Sequence, residues 1–175
     1  MDVMIVFLFI SFLLIPVIMD SNGFLTKNKT NKIKLLGKMS GTVIVDSVVY
    51  SLSGTNATAI DYFLPPVSWN LAFPSTIVSG YGYHDVIAID INSFNGCTEL
   101  KTLTFDFANQ ITSIGVSAFR SCLNLTTVTL IPKEVTFIGE KAFQGCENLT
   151  LIDFEPGINF SNLKKNNFAT CRNLP

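Results

Sequence analysis

The chain has 175 residues, of which 48% are hydrophobic and only 14% are charged, so it is too apolar for a disordered tail and suits one ordinary domain. Its net charge of −1 hides an asymmetry: residues 24–39 carry five Lys and no acid, whereas seven basic and eleven acidic side chains give residues 40–175 a net charge of −4. That acidic balance offers no footprint for phosphate backbones, so no nucleic-acid partner is expected.

Residues 3–19, VMIVFLFISFLLIPVIM, form an uncharged apolar segment typical of a targeting sequence. We predict a signal peptide or a membrane anchor over residues 1–23, followed by a Lys-rich linker at 24–39. The length suits a signal peptide, although the chain begins with Asp2 rather than a basic residue. For an anchor the segment is short against ~30 Å of hydrocarbon. Both alternatives stay open: a secreted or surface protein, or a membrane-anchored one if residues 3–19 are not cleaved.

Residues 40–85 are predicted to form a β-rich N-terminal cap. Two runs rich in β-branched residues, TVIV and VVYSL, flank Asp46 and Ser47, and this pattern is typical of a β-hairpin. In the aromatic-rich stretch that follows, we expect Trp69, Tyr81 and Tyr83 to lie in the core of the cap rather than to bind a ligand. Repeat arrays need such caps because the first coil would otherwise expose a full apolar cross-section.

A motif of Phe, two residues, Cys, two residues and Leu recurs from residue 86 to the end of the chain. Its four copies are Phe94/Cys97/Leu100, Phe119/Cys122/Leu125, Phe143/Cys146/Leu149 and Phe168/Cys171/Leu174. Intervals of 24 and 25 residues are typical of solenoids, in which each coil buries its apolar face against its neighbours. Within a copy, the alternation and the three-residue spacing of Ala-Phe-x-x-Cys predict strand, turn, short helix and strand. Gly115 and Gly139 are expected at the bend, with positive φ.

The four cysteines occupy one repeat position, because the period that places Phe and Leu also places them. We therefore predict a buried column of free thiols rather than two disulfides. Coils are ~5 Å apart only along their strands, and a spacing of ~8–10 Å on a helical side exceeds disulfide reach. The sequence has no CxxC pair and its single histidine lies outside the repeats, so no metal and no cofactor are expected.

The two central copies, at residues 111–125 and 135–149, share the pattern Val/Ile-Thr-x-Ile-Gly-x-x-Ala-Phe-x-x-Cys-x-Asn-Leu. This pattern resembles the BspA-like leucine-rich repeat (type 5), found in surface proteins of bacteria and parasitic protists, and the resemblance covers residues 86–175. It implies a β-rich α/β solenoid, a leucine-rich-repeat array of about 3.5 coils behind a β-hairpin cap, used for binding or adhesion. Ile131-Pro132 stands where the family often has Leu-Pro.

Strand alternation predicts that Leu125, Val128 and Leu130 point into the core while every second residue points out. The outward positions form three columns and are our candidate binding face: Thr102, Thr127 and Leu151; Thr104, Thr129 and Asp153; and Asp106, Ile131 and Glu155. Such a face, rich in Thr with an acidic edge, is a candidate site for a protein or glycan ligand. The alternative interpretation is that Thr is simply a favourable residue in exposed strands.

No catalytic constellation is apparent, and we expect no enzyme activity and no catalytic residue. His84 neighbours Asp85, but adjacent residues of an extended segment point apart, so they form no dyad and we predict a solvated histidine in the cap. The sequence contains no Gly-rich phosphate loop and no nucleophile elbow.

Five Asn-x-Ser/Thr sequons are present, at Asn28, Asn56, Asn124, Asn148 and Asn159. Asn124 and Asn148 belong to the repeated Asn-Leu-Thr, so the repeat alone accounts for them. Asn28 and Asn56 lie outside the repeats and are the better candidates for N-glycosylation.

Two functions remain open. The first is a non-catalytic binding or adhesion module that contacts a protein or glycan through its strands. The second is a structural remnant or spacer of a longer repeat protein, because the array ends inside its fourth coil at Pro175. An uncapped last coil also predicts self-association.

Overall fold

The computed structural model describes residues 4–10, 13–19, 25–27, 33–35, 41–63, 65, 68–80, 82–105, 110–159, 163 and 165–175. The chain divides into two compact units, Met1–Gly41 and Thr42–Pro175.

The first unit contains two pairs of antiparallel strands. Strand β1 (Met4–Ile10) pairs with β2 (Leu13–Met19), and β3 (Leu25–Lys27) pairs with β4 (Ile33–Leu35). Within the described ranges, no helix is long and apolar enough to cross a membrane. The signal peptide or anchor over residues 1–23 and the linker at 24–39 stay predictions.

The second unit is a stack of coils with one sheet on each of two sides. Its strands are β5 (Thr42–Val45), β6 (Val48–Ser53), β7 (Asn56–Tyr62), β8 (Trp69–Phe73), β9 (Thr76–Ser79), β10 (Gly82–Ile89), β11 (Leu100–Phe105), β12 (Ser113–Ile114), β13 (Thr127–Ile131), β14 (Phe137–Ile138) and β15 (Leu151–Phe154). A four-stranded parallel sheet has the order β15-β13-β11-β8. The other sheet has the order β14-β12-β10-β7-β6-β5, with β9 paired to β10.

The predicted hairpin is confirmed and forms the N-terminal cap. Strands β5 and β6 pair antiparallel, and the two residues between them, Asp46 (φ 48°) and Ser47 (φ 68°), are both left-handed. That is the geometry of the two-residue type I′ turn, whose twist matches the flanking strands. Trp69 is buried as predicted, and Tyr81 lies outside the described residues. Tyr83 is 76% exposed and its predicted place in the core is wrong, because the alternation of β10 turns Tyr83 outward and its neighbour inward.

The solenoid prediction is confirmed, but the short helix at Ala-Phe-x-x-Cys does not form in the central coils. No α-helix occurs in the part of the chain that is described, and only the fourth copy has a 3₁₀ helix, at Lys165–Phe168. The turn segments 91–96, 116–121 and 140–145 replace it. Each contains two left-handed residues, such as Ser117 (φ 54°) and Ser121 (φ 57°), which interrupt a right-handed helix.

These turn segments pair with each other through the backbone. The Phe94 amide donates to the Ala118 carbonyl at 2.7 Å, and the Phe119 amide donates to the Ala142 carbonyl at 2.8 Å. Each coil is therefore hydrogen-bonded to the next along the turn segments as well as along both sheets.

Gly115 and Gly139 lie at the predicted bend, but the reason predicted for them is wrong. Neither has positive φ. A Cβ on Gly115 would instead lie 2.5 Å from the carbonyl carbon of Asp90, and one on Gly139 would clash with the backbone nitrogen of Val116. These positions require glycine because the backbones of successive coils approach closely.

A ladder of stacked rings runs through the core. Phe94, Phe119, Phe143 and Phe168 have successive centroid distances of 5.1, 5.2 and 5.6 Å and interplanar angles of 8–12°. Tyr62 of the cap stacks on Phe94 at 5.9 Å. Such pairs contribute about 0.5–1.5 kcal/mol each beyond the burial of their surface.

The cysteines form the predicted column of thiols. Cys97, Cys122 and Cys146 are buried, Cys171 is half-buried, and all four are free. The thiols of Cys122, Cys146 and Cys171 donate to the carbonyls of Phe94, Phe119 and Phe143 in the preceding coil, at 3.1–3.2 Å. A small side chain with a weak donor therefore satisfies a backbone carbonyl inside the stack.

Candidate functional site

The outward side of the four-stranded sheet is the candidate site. Its eight residues are called the strand face: Asn70 and Ala72 on β8, Thr102 and Thr104 on β11, Thr127 and Thr129 on β13, and Leu151 and Asp153 on β15. The face exists because each strand turns its alternate residues into the core, as Trp69, Leu71 and Phe73 do on β8.

Two of the three predicted columns can be traced on the strand face. Thr102 pairs with Thr127 and Thr127 with Leu151, so the first column is continuous. Thr104 pairs with Thr129, which gives the first two members of the second column.

The third predicted column does not form. Asp106 lies outside the described residues. Ile131 was expected to point outward but is fully buried. Glu155 follows β15, where its carboxylate accepts a hydrogen bond from the backbone amide of Lys133 at 3.2 Å.

A β-bulge in β13 explains why Ile131 points inward. Val128 pairs with Ile152 and Ile131 pairs with Phe154. Two residues of β13, Thr129 and Leu130, therefore lie opposite a single residue of β15, Asp153. The extra residue lies at Leu130, which is left-handed (φ 59°) and half-buried rather than in the core. One inserted residue reverses the alternation after it, and Ile131 takes the inward position that was predicted for Leu130.

Hydrogen bonds within the strand face run from coil to coil. The Thr102 hydroxyl donates to Oδ1 of Asn70 at 3.0 Å, and the Thr129 hydroxyl donates to the Thr104 hydroxyl at 3.1 Å. The polar groups of the face are thus partly ordered before any ligand arrives, which lowers the entropic cost of binding.

The strand face carries almost no charge. Asp153 is its one ionisable side chain, and its Oδ1 accepts a hydrogen bond from the Phe154 amide at 2.9 Å. Leu151 is 47% exposed and is its largest apolar group. Exposed Lys101 lies beside the face, at the irregular start of β11. The face therefore offers hydroxyls, one amide and methyl groups.

Asn70 and Ala72 were missed by the sequence prediction because they precede the first recognisable repeat. The signal was present in the alternation Trp-Asn-Leu-Ala-Phe, whose large residues are all buried. Register pairs Asn70 with Thr102 and Ala72 with Thr104, so the cap extends both columns by one strand.

The recurring polar residues that follow each cysteine have a different role. We call this region, residues 91–98, 116–126, 140–150 and 165–173, the turn side. The amides of Asn124, Asn148 and Asn173 donate to the carbonyls of Thr98, Leu123 and Glu147 at 2.8–2.9 Å. The hydroxyls of Thr126 and Thr150 donate to the carbonyls of Lys101 and Thr126 at 3.1 Å. These side chains bond each coil to the one before it.

His84 is buried, so its predicted exposure to solvent is wrong. It is 4% exposed, its Nε2 lies 2.8 Å from the Ser79 hydroxyl, and its Nδ1 lies 2.9 Å from the Gly54 carbonyl. In the neutral tautomer, Nδ1–H donates to Gly54 and Nε2 accepts from Ser79. The ring thereby connects the β6–β7 turn to the β9–β10 hairpin. Across the described ranges, no group of three or more His, Cys, Asp or Glu side chains could hold a metal ion.

The family model described as the BspA type leucine-rich repeat region matches residues 81–175 in six copies, which is more than half of the chain. The chain belongs to this family. Membership of the BspA-type leucine-rich repeat family points to a non-enzymatic repeat domain. No curated protein matches significantly.

Crystal structures of three leucine-rich repeat proteins resemble the fold of this chain. A leucine-rich cell surface protein of Faecalibacterium prausnitzii has a TM-score of 0.54 and 23% identity, with 65% of this chain and 32% of that one covered. Proteins of Bacteroides ovatus (0.50, 21%) and Bacteroides capillosus (0.51, 19%) cover 75% and 66% of this chain, and 39% and 99% of their own. These similarities show the fold. The BspA-type chain spans less than two-fifths of the first two proteins.

Proposed function

We propose that this chain is a non-catalytic binding module, secreted or displayed at a cell surface, that contacts a protein partner through the strand face. The observation that carries the proposal is the composition of that face: eight outward side chains on one continuous sheet, of which Asp153 alone is charged.

Low charge favours association because few ionic groups must lose water when a partner covers the face. Methyl groups of the threonines, Ala72 and Leu151 supply apolar area, and the hydroxyls supply hydrogen bonds at fixed spacing. Neighbouring strands are ~4.8 Å apart, so an extended segment of a partner meets a regular array of donors and acceptors.

A protein ligand is favoured over a glycan. The strand face presents no aromatic ring on which a sugar ring could stack, and its single carboxylate, Asp153, already accepts a backbone hydrogen bond. The exposed aromatic side chains Tyr83 and Phe137 belong to the other sheet.

Size limits the expected affinity. Four strands at ~4.8 Å span about 15 Å, and the two outward residues of each strand, ~7 Å apart, extend the face by about 10 Å in the other direction. The resulting area of about 150 Å² is well below the roughly 800 Å² that each partner contributes to a standard stable interface. One copy should therefore bind weakly, and many copies on a cell surface would increase the overall affinity through avidity.

The test compares the full chain with a Thr129→Arg variant in surface plasmon resonance. The probes are a panel of purified extracellular proteins and a glycan array. We expect weak binding to a protein probe that Thr129→Arg abolishes while the melting temperature stays unchanged, because the new guanidinium stands in the middle of the face.

Thr136→Arg is the matched control. Thr136 is an exposed threonine next to β14 on the other sheet, and its hydroxyl bond to the Thr112 carbonyl is long, at 3.4 Å. Retained binding in this variant and lost binding in Thr129→Arg would support the proposal. Equal binding by both variants would place the site elsewhere, and a glycan as the sole ligand would contradict the choice of partner.

Self-association through the last coil stays a prediction. Phe168, Cys171 and Leu174 are half-buried there. Sedimentation of the purified chain at several concentrations checks this prediction, since the fraction of dimer would rise with protein concentration. Failure to bind any probe would favour the spacer alternative.

A further inference from the structure

The sequons of the chain differ in what their side chains already do. Three lie fully within the described residues: Asn56-Ala-Thr58, Asn124-Leu-Thr126 and Asn148-Leu-Thr150. N-linked modification uses two groups of a sequon, the amide nitrogen that receives the sugar and the hydroxyl two residues later. The structure allows both groups to be followed in each of the three.

Both groups are occupied in the two repeat sequons. Nδ2 of Asn124 lies 2.8 Å from the Thr98 carbonyl, and the Thr126 hydroxyl lies 3.1 Å from the Lys101 carbonyl. In the next coil, Nδ2 of Asn148 lies 2.9 Å from the Leu123 carbonyl, and the Thr150 hydroxyl lies 3.1 Å from the Thr126 carbonyl. Once the coils have stacked, these sequons are part of the bonding between them.

Asn56 is in the opposite situation. It is exposed at the first position of β7, directly after the turn at Gly54. In the described part of the structure, neither the side-chain amide of Asn56 nor the Thr58 hydroxyl makes a hydrogen bond. A sugar attached to Asn56 therefore displaces no contact of the fold.

We propose that Asn56 is an N-glycosylation site of the folded domain and that Asn124 and Asn148 are not. The proposal rests on the cell-surface or secreted destination proposed above. Nδ2 of Asn56 forms a bond to C1 of the first sugar, while the bond between C1 and the pyrophosphate oxygen of a lipid-linked oligosaccharide breaks. The lipid pyrophosphate leaves with the bonding electrons, and the amide gives up one proton.

The position of Asn56 is compatible with binding at the strand face. β7 belongs to the sheet that contains β10 and β12, whereas the strand face belongs to the sheet of β8, β11, β13 and β15. A glycan at Asn56 would shield the β6–β7 turn and would leave the strand face uncovered.

The test expresses the full chain in a eukaryotic secretory cell, with Asn28 and Asn159 changed to Gln so that any glycan reports on the three sequons under comparison. Enzymatic removal of N-glycans converts each modified Asn to Asp, and mass spectrometry of peptides locates the conversion. We expect Asp at position 56 and Asn at positions 124 and 148, with the glycan lost in Asn56→Gln.

Asn124→Gln is the matched control and should leave the glycan mass unchanged. A second arm places the same chain behind a leader of known secretory function. Modification of Asn56 in this arm alone would overturn the destination and keep the site. An unmodified Asn56 in both arms, or glycan on Asn124 or Asn148 of the secreted folded chain, would overturn the site proposal.

Discussion

The turn side and the strand face are built from the same repeat, but they use their polar residues differently. On the turn side, Asn124 and Thr126 give their side-chain donors to backbone carbonyls of the preceding coil. On the strand face, hydroxyls bond to other side chains, as Thr129 does to Thr104. The most regular residues of the sequence therefore hold the coils together, and the less regular ones form the face that we propose for binding.

Ring stacking on the turn side should dominate stability. Phe119 is fully buried between two rings at 5.1 and 5.2 Å, so Phe119→Ala is expected to cost about 3–5 kcal/mol, measured by urea unfolding followed by circular dichroism. Leu123→Ala, at a side chain that is 43% exposed, is the control and should stay within about 0.5 kcal/mol. Similar costs for both variants would mean that the ladder is not what holds the coils.

Close backbone approach should rank second. Gly139→Ala places a methyl group against the Val116 backbone, which cannot yield like a flexible side chain, so we expect a loss of about 2–3 kcal/mol. Gly80→Ala is the matched control, since a Cβ there has no neighbour within 4 Å. Thermal melts of both variants check this, and an unchanged melting point for Gly139→Ala would contradict the contact.

Two adjacent threonines compare the turn side with the strand face directly. Thr126→Val removes the hydroxyl bond to the Lys101 carbonyl and should cost about 0.5–1.5 kcal/mol. Thr127→Val changes a strand-face residue of the same type and should leave the free energy of unfolding nearly unchanged. Equal urea midpoints for the two variants would remove the distinction between the two regions.

The thiol column should make the stack weaken in alkali. Burial, together with the neighbouring Cys146, raises the pKa of Cys171 to about 11, and burial also raises the pKa of Cys122. A thiol in the unfolded chain has a pKa of about 8.5, so above that pH the unfolded chain releases protons that the folded chain keeps. The contribution of the buried thiols to the free energy of unfolding should be fully present below a pH of about 8.5 and should fall as the pH rises towards 11. Urea unfolding at several pH values measures how steeply the free energy of unfolding falls with pH, and Cys171→Ala should make that fall less steep. An identical fall in the variant would contradict the assignment to Cys171.

The sequence predicted those features that a local pattern or the repeat period determines. The hairpin at Asp46 and Ser47 follows from two adjacent β-branched runs, and the buried column of cysteines follows from the period. The bulge at Leu130 does not, because nothing in Thr-Val-Thr-Leu-Ile marks which residue adopts a left-handed backbone. Ile131 was consequently assigned to the wrong side.

Long-range partners were the other source of error. His84 could not be recognised as buried, because one of its two hydrogen-bond partners, Gly54, lies 30 residues earlier and is brought near by sheet pairing. Asn70 was missed for a similar reason, since only the pairing of β8 with β11 places it beside Thr102. For Gly139 the predicted position at the bend was right, but the predicted positive φ was wrong, because glycine is required there by the close approach of another coil.

Backbone pairing along three sides of the coil determines the shape of the array. Strands of successive coils pair on both sheets, with local irregularities such as the bulge in β13, and the turn segments also hydrogen-bond to each other, so successive coils advance by the same ~4.8 Å on two opposite sides. A stack with equal rise on opposite sides cannot open into a horseshoe. Coils added to such a stack would extend the strand face as a flat surface rather than as a concave one.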